Sequence, residues 1–241
     1  GYLFMDNPMT IITQEIEAIE DRKYLSGFHG FWSIGTLFAG FFGSFLIDHV
    51  KYSYHLTGLA VISFAVLMLS SRSLAEKKVD NEATEKTKFV WKSPVGFATA
   101  ILGFGMLCSI SSEFGATDWS ALYLRDVLGI TGQLYVGAYL AFELGMVLSR
   151  LLGDKFIHKY GASKVVAFCG LTGSIAWLIG VIIGENLHDT NKFIAYAAVL
   201  FGYFCAGAGV GPLFPGLITV LGQVKGIDMS MALSRALLIS M

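Results

Sequence analysis

The chain has 241 residues, of which 54% are hydrophobic and 15% charged, and its formal net charge is −1. A soluble domain carries roughly a quarter of its residues charged, so this composition excludes an ordinary water-soluble globule. The near-neutral balance also leaves no electrostatic footprint for nucleic acid. Long runs hold no charge and short connectors hold nearly all of it, which is the pattern of an all-α, polytopic membrane bundle.

A membrane-crossing helix needs about 20 mostly apolar residues. A partial helix comes first and ends in the polar stretch Thr13–Lys23. Complete candidates follow at Gly27–Ile47, His55–Ser71, Val95–Leu124, Leu134–Leu152, Val165–Gly184 and Phe193–Leu221. Another helix is expected to start near Met231. The third candidate is long for one straight span, and Gly115 is the expected break. The chain opens on Gly1-Tyr-Leu-Phe-Met and closes inside an apolar run, so both ends are expected to be cuts within a longer protein. Cys108, Cys169 and Cys205 each lie in an apolar run, and are expected to be small packing residues rather than ligands.

Basic residues set orientation in a multi-pass protein. Alternate connectors carry Arg22 and Lys23; then Arg72, Lys77, Lys78, Lys86, Lys88 and Lys92; then Arg150, Lys155, Lys159 and Lys164; then Lys225. The intervening set carries only Lys51, Arg125 and Lys192. The first set is therefore expected to be cytoplasmic, in a plasma (inner) membrane. The longest connector, 72–92, is rich in Lys and Glu and reads as a solvated linker.

The connector after the fourth candidate carries a motif. It reads Arg150, then Gly153-Asp154-Lys155, then Lys159, Gly161 and Lys164, placed between two apolar stretches. This ordered set resembles the signature loop of the major facilitator superfamily, in its second-half version between helices eight and nine. The resemblance implies a major facilitator fold, truncated here at both ends. Residues 1–71 would be the latter part of the first six-helix half, 72–92 the linker between halves, and 93–241 most of the second half. Three further stretches are similar to the MosC-type bacterial subgroup: Met5–Met9, Ser26–Gly35 and Glu113–Arg125, with Gly207–Pro215 also alike. The resemblance implies a transporter working by alternating access, a monomer when whole, with a small-molecule substrate, and it implies no cofactor.

Ionisable groups inside spans are costly and are candidates for function. Tyr139, Glu143, Met146 and Arg150 share a helical face by spacing, and that face is expected to look into a polar cavity, with Glu143 either a substrate or proton site or the partner in a structural hydrogen bond to a neighbouring helix. Glu113, Asp118 and Trp119 are expected to line the outer half of the cavity, and Glu113 is expected to matter more than Glu143. His29 and Trp32, with Ser33 and Thr36, form a polar stripe near the inner end of the first span. Two ladders of small residues suit close helix packing: Gly35, Ala39 and Gly43, and Gly137, Ala141, Gly145 and Ser149. Under the family register they are expected to meet across the boundary between halves. Asp154 is expected to meet the helix start at Leu25–Gly27, held in place by Arg150.

No metal-ligand spacing, phosphate-cradling loop or nucleophile–base pair is visible, so the expectation is not an enzyme. The leading reading is a secondary transporter of a small polar solute, a sugar, polyol or related compound, possibly by proton symport. A drug–proton antiporter is the first alternative; the Gly35–Gly43 stretch lacks the proline such proteins carry there. A non-transporting membrane sensor or scaffold is the second.

Overall fold

The computed structural model describes residues 10, 12–13, 16–17, 19–20, 24–46, 49–72, 90–224 and 229–240. Met5–Met9, Arg22, Lys23, positions 73–89 of the linker and Lys225 lie outside the described residues. The described residues are overwhelmingly α-helical and contain no strand: α1 Leu25–Leu46, α2 Tyr52–Ser71, α3 Pro94–Leu122, α4 Gly137–Tyr160, α5 Ala162–Leu187, α6 Lys192–Val210, α7 Leu213–Gly222 and α8 Met229–Ile239. Every expected span is helical, the sixth in two pieces. Five stretches are long and apolar enough to cross a membrane: Tyr52–Ser70, Pro94–Val127, Gly132–Tyr160, Ala162–Leu187 and Lys192–Gly222.

Local chemistry sets the helix ends. Ser93 caps α3 by accepting from Gly96 N–H at 3.0 Å, and Pro94 sits in the first turn, where a missing N–H costs nothing. α3 does not break at Gly115; it runs unbroken to Leu122 and unwinds through a π-helical turn, Tyr123–Val127, that ends at Gly129 with φ 63°. Glycine alone does not interrupt a helix whose hydrogen bonds are otherwise complete, so the irregularity waits for the span's end. α4 and α5 are joined at Gly161, whose φ of 87° only glycine adopts readily. Asn191 caps α6 through Ile194 N–H at 3.1 Å.

The expected sixth span is two helices, α6 and α7, interrupted at Gly211–Pro212. Pro212 and Pro215 lack the N–H groups that would serve the carbonyls of Ala208 and Gly211 four residues earlier. The helix restarts with Gly216 N–H donating to Pro212 O at 3.0 Å.

By contact density the chain forms two compact units, Gly1–Gly40 with Phe89–Met241, and Phe41–Lys88. In the second unit, Phe41 packs edge-on against Phe42 and Phe45 at 5.5 and 5.2 Å, and α2 is exposed and apolar along nearly its whole length. In the first unit, one core layer gathers Leu124 of the π-helical turn after α3 with Phe142 and Met146 of α4 and Val199 and Tyr203 of α6. A second gathers Leu25, Met106, Phe214, Ile218, Leu233 and Leu237 from α1, α3, α7 and α8.

The small residues of α4 do not meet α1 as a ladder. A Cβ on Gly145 would strike the Phe204 carbonyl oxygen and come within 2.9 Å of Ala208 N, so the row Gly137–Ser149 seats α6 against α4. Every fourth residue advances about 40° around a helix, so the row turns about 160° between Gly137 and Gly153, and only Gly153 comes round to Ser26 of α1. A Cβ on Gly35 or Gly43 would meet no described atom within 4 Å. Gly145→Ala should therefore lower stability by about 1–3 kcal/mol through overpacking, while Gly35→Ala should leave it unchanged. Thermal unfolding of the two variants in detergent checks the difference.

Candidate functional site: a polar seam between α1 and α4

One face of α1 carries Ser26, Ser33 and Gly40 at seven-residue spacing, with Gly30 and Thr36 beside them. A seven-residue repeat drifts only about 20° per step, so this row stays aimed at one neighbour. That neighbour is α4. A Cβ on Gly30 would sit 3.0 Å from Leu151 Cδ2, and one on Gly27 would sit 3.2 Å from Asp154 Oδ2. A Cβ on Gly40 would collide with the Tyr139 ring. The α1 face is small and hydroxylated, so α4 can press its charged side chains into it.

Along the seam each polar group finds a partner. Tyr139 OH donates to the Thr36 carbonyl at 2.9 Å. Thr36 Oγ1 lies 2.6 Å from Glu143 Oε2. Ser26 Oγ donates to the Arg150 carbonyl at 2.8 Å. Glu143 and Arg150 are 2% and 3% exposed, so the face expected to look into a cavity is instead packed against α1. Met146 leaves that face altogether and joins the core against α6.

Arg150 ties three elements together. Its Nη1 donates to Ser33 Oγ of α1 at 2.5 Å, and its Nη2 to Glu113 Oε2 of α3 at 2.8 Å. Its Nε donates to the Gly211 carbonyl at 3.2 Å. That carbonyl is available because Pro215, four residues on, has no N–H to offer it. The expectation that Arg150 holds Asp154 gives way here. A helical side chain leans toward the helix N-terminus, so Arg150 points toward Glu143 while Asp154 lies one turn the other way.

Asp154 closes the end of the seam. Its Oδ1 and Oδ2 accept from Ser26 N–H at 3.1 Å and Gly27 N–H at 2.8 Å. These belong to the first turn of α1, which has no intrahelical acceptors and carries partial positive charge. Glu17 completes the set, its Oε1 accepting from Tyr24 N–H at 2.7 Å and Leu25 N–H at 2.9 Å. Sequence reasoning missed Glu17, since a carboxylate before a helix start reads as an ordinary solvated acid. It also missed the Ser26–Ser33–Gly40 row, which the seven-residue spacing could have revealed.

The remaining candidates scatter. Asp118 and Trp119 are exposed; Asp118 is five residues from Glu113, about 140° around α3, and so is not brought to Arg150. Trp32 is also exposed, and the His29 ring packs edge-on against Phe214 at 5.6 Å. Lys155, Lys159 and Lys164 are exposed beyond the seam, Lys159 with its Nζ 5.1 Å above the Tyr160 ring. Cys108 is exposed and Cys169 and Cys205 are half-buried. Among the described residues no three His, Cys, Asp or Glu side chains converge as a metal would require.

Comparison with known proteins agrees with this architecture. The chain is 26% identical over 233 residues to an uncharacterized MFS-type transporter of Yersinia pestis, covering 95% of this chain and 56% of that protein. It is 23% identical over 218 residues to a putative glucose/galactose transporter of Helicobacter pylori strain J99, covering 82% of this chain and 50% of the relative. It is 24% identical over 136 residues to the membrane protein MosC of Rhizobium meliloti, covering 56% of this chain and 31% of the relative. The chain thus spans about half the length of the first two relatives. No solved structure matches it. The family model of the Major Facilitator Superfamily matches residues 8–230, and the chain belongs to that family of membrane transporters, which are not enzymes.

Proposed function

We propose that the chain is part of a secondary active transporter that moves a small polar solute, of the sugar or polyol class, by alternating access in the plasma membrane. The observation that carries this is the chemistry of the α1–α4 seam. Its contacts are hydrogen bonds, several of them to charged side chains of α4, at hydroxyls, carbonyls and a helix start. Such contacts can be exchanged for water, whereas the interlocked backbones of α4 and α6 cannot. A seam of this kind suits two bundles that part and rejoin.

On this reading residues 1–71 belong to one half, 93–241 to the other, and 72–92 link them in the cytoplasm. The signature loop is cytoplasmic by its lysines, so the Asp154 closure is an inner gate and Arg150 and Glu113 lie deeper, toward the solute. The kinship with a putative glucose/galactose transporter supports the sugar class. The whole protein would act as a monomer.

Two outcomes test the reading in the whole transporter. In proteoliposomes, labelled D-galactose should enter saturably and accumulate transiently by exchange against internal unlabelled galactose. Absence of flux with galactose and with a panel of hexoses and polyols would remove the sugar-class proposal. For the gate, Asp154→Asn removes a negative charge facing a helix start, worth about 0.3–1 kcal/mol. With Cys108, Cys169 and Cys205 replaced and Ser26→Cys introduced, Asp154→Asn should speed labelling of position 26 by a hydrophilic maleimide severalfold. Equal rates with Asp154 and Asn would mean that this acid does not hold the seam shut.

A further inference from the structure

A groove runs where α4, α5 and α6 meet. Gly145 contributes no side chain to it, and Ser149 turns its hydroxyl back onto the Met146 carbonyl at 3.1 Å. Val165 and Cys169 of α5 line it, as does Pro212 at the α6–α7 break. The lining is almost wholly apolar, and Leu148, Leu152 and Phe156 of α4 are half-exposed along it. Its volume, about 240 Å³, is smaller than the roughly 300–1,000 Å³ of a small-molecule site. Yet it is long. From Gly145 to Phe156 α4 rises about 16 Å, close to the roughly 15 Å of hydrocarbon in one leaflet.

The two ends differ in charge. At the Phe156 end the Tyr160 ring stacks on Phe156 at 6.3 Å, and Lys159 Nζ sits 5.1 Å above the Tyr160 ring. Lys164 adjoins Val165 at the start of α5. Lys155, Lys159 and Lys164 are all exposed. Acids do not balance them. Asp154 is turned to Ser26 N–H and Gly27 N–H of α1. α5 keeps its acid, Glu185, near the opposite end, and α6 and α7 contain none. An apolar strip one leaflet deep thus opens at a cluster of cations. A neutral lipid chain would satisfy the strip alone, and a free anion the lysines alone. An anionic phospholipid joins the two chemistries in one molecule, at the spacing a leaflet imposes. Lysine also suits the boundary, since its alkyl stem lies along apolar surface while the ammonium reaches phosphate.

We propose that this groove binds an anionic phospholipid of the leaflet bordering the signature loop, one acyl chain lying along Leu148, Leu152 and Phe156 and the phosphate meeting Lys159 and Lys164. Gly153, which also lines the groove, is where Ser26 of α1 meets α4, so the chain lies beside the Asp154 closure. Nothing in the site depends on which solute is carried.

Photolabelling of the whole protein in phosphatidylcholine nanodiscs tests this. Two probes are compared, phosphatidylglycerol and phosphatidylcholine with the same photoreactive group on one acyl chain, and peptide mapping locates the adducts. The phosphatidylglycerol probe should label Leu148–Phe156 and Cys169 severalfold more than the phosphatidylcholine probe. The two should label Leu171, Ile175 and Leu178, exposed on α5 outside the groove, equally. Unlabelled phosphatidylglycerol should compete, and inorganic phosphate should not. Lys159→Gln with Lys164→Gln should bring the two probes to equal yield in the groove, whereas Lys192→Gln, at the start of α6, should leave their ratio unchanged. Equal yields in the parent, an excess spread over the outer face of α5 as well, or an excess that survives loss of both lysines would overturn the proposal. Competition by inorganic phosphate would overturn it too, by showing that the lysines hold a free anion and not a lipid. The readout is adduct yield, so it stands or falls separately from galactose flux.

Discussion

A guanidinium at 3% exposure constrains everything around Arg150. Taking such a charge out of water costs several kcal/mol unless its donors and its charge are both met. Three elements supply the partners: a hydroxyl from α1, a carboxylate from α3, and a carbonyl from the α6–α7 break. Each is there for a local reason. Ser33 belongs to the small row of α1. Glu113 lies on α3, its Oε2 2.8 Å from Arg150 Nη2. The Gly211 carbonyl is open because proline stands four residues on. Removing any one leaves part of a buried cation unmet.

α4 has two packing faces of opposite chemistry. Toward α6, Gly145 and Gly207 bring backbone against backbone, with Phe204 O and Phe142 O in the space where a Cβ would be. Nothing there can be traded for water without opening a void. Toward α1, small residues again permit close approach, but what enters the space is Tyr139, Glu143 and the Arg150 guanidinium, bonded to hydroxyls and carbonyls. Similar small residues thus make one rigid joint and one that can be solvated. The difference lies in what the partner helix contributes, which spacing along α4 alone does not reveal.

That explains how far the sequence could be read. The spans, with limits to within a few residues, follow from runs of apolar residues, which are local signals. The Asp154 contact with Ser26 and Gly27 was an expectation that the resemblance of its loop implied. The direction in which each ladder faces is not local. An every-fourth row wraps around its helix, so Gly137–Gly153 begins on α6 and ends on α1, and counting by fours gave it a single neighbour. In α1 the same habit selected Gly35, Ala39 and Gly43, whereas the contact row repeats every seven residues. The cavity expected at Glu143 failed for a related reason. A polar stripe on one helix is compatible with water or with a hydroxylated partner, and only α1's own face decides between them.

α1 carries this argument to its end. It places Ser26, Gly30, Ser33 and Thr36 where α4 packs. Away from α4, α1 would present hydroxyls to lipid, and α4 would present a buried acid and an arginine, each costing on the order of 3 kcal/mol at mid-membrane. Together they offset one another. The hydroxyls of α1 and the charge of α4 are therefore one feature divided between two helices. Glu17 and Asp154, which between them accept four N–H groups at the start of α1, fix the end from which that pairing is built.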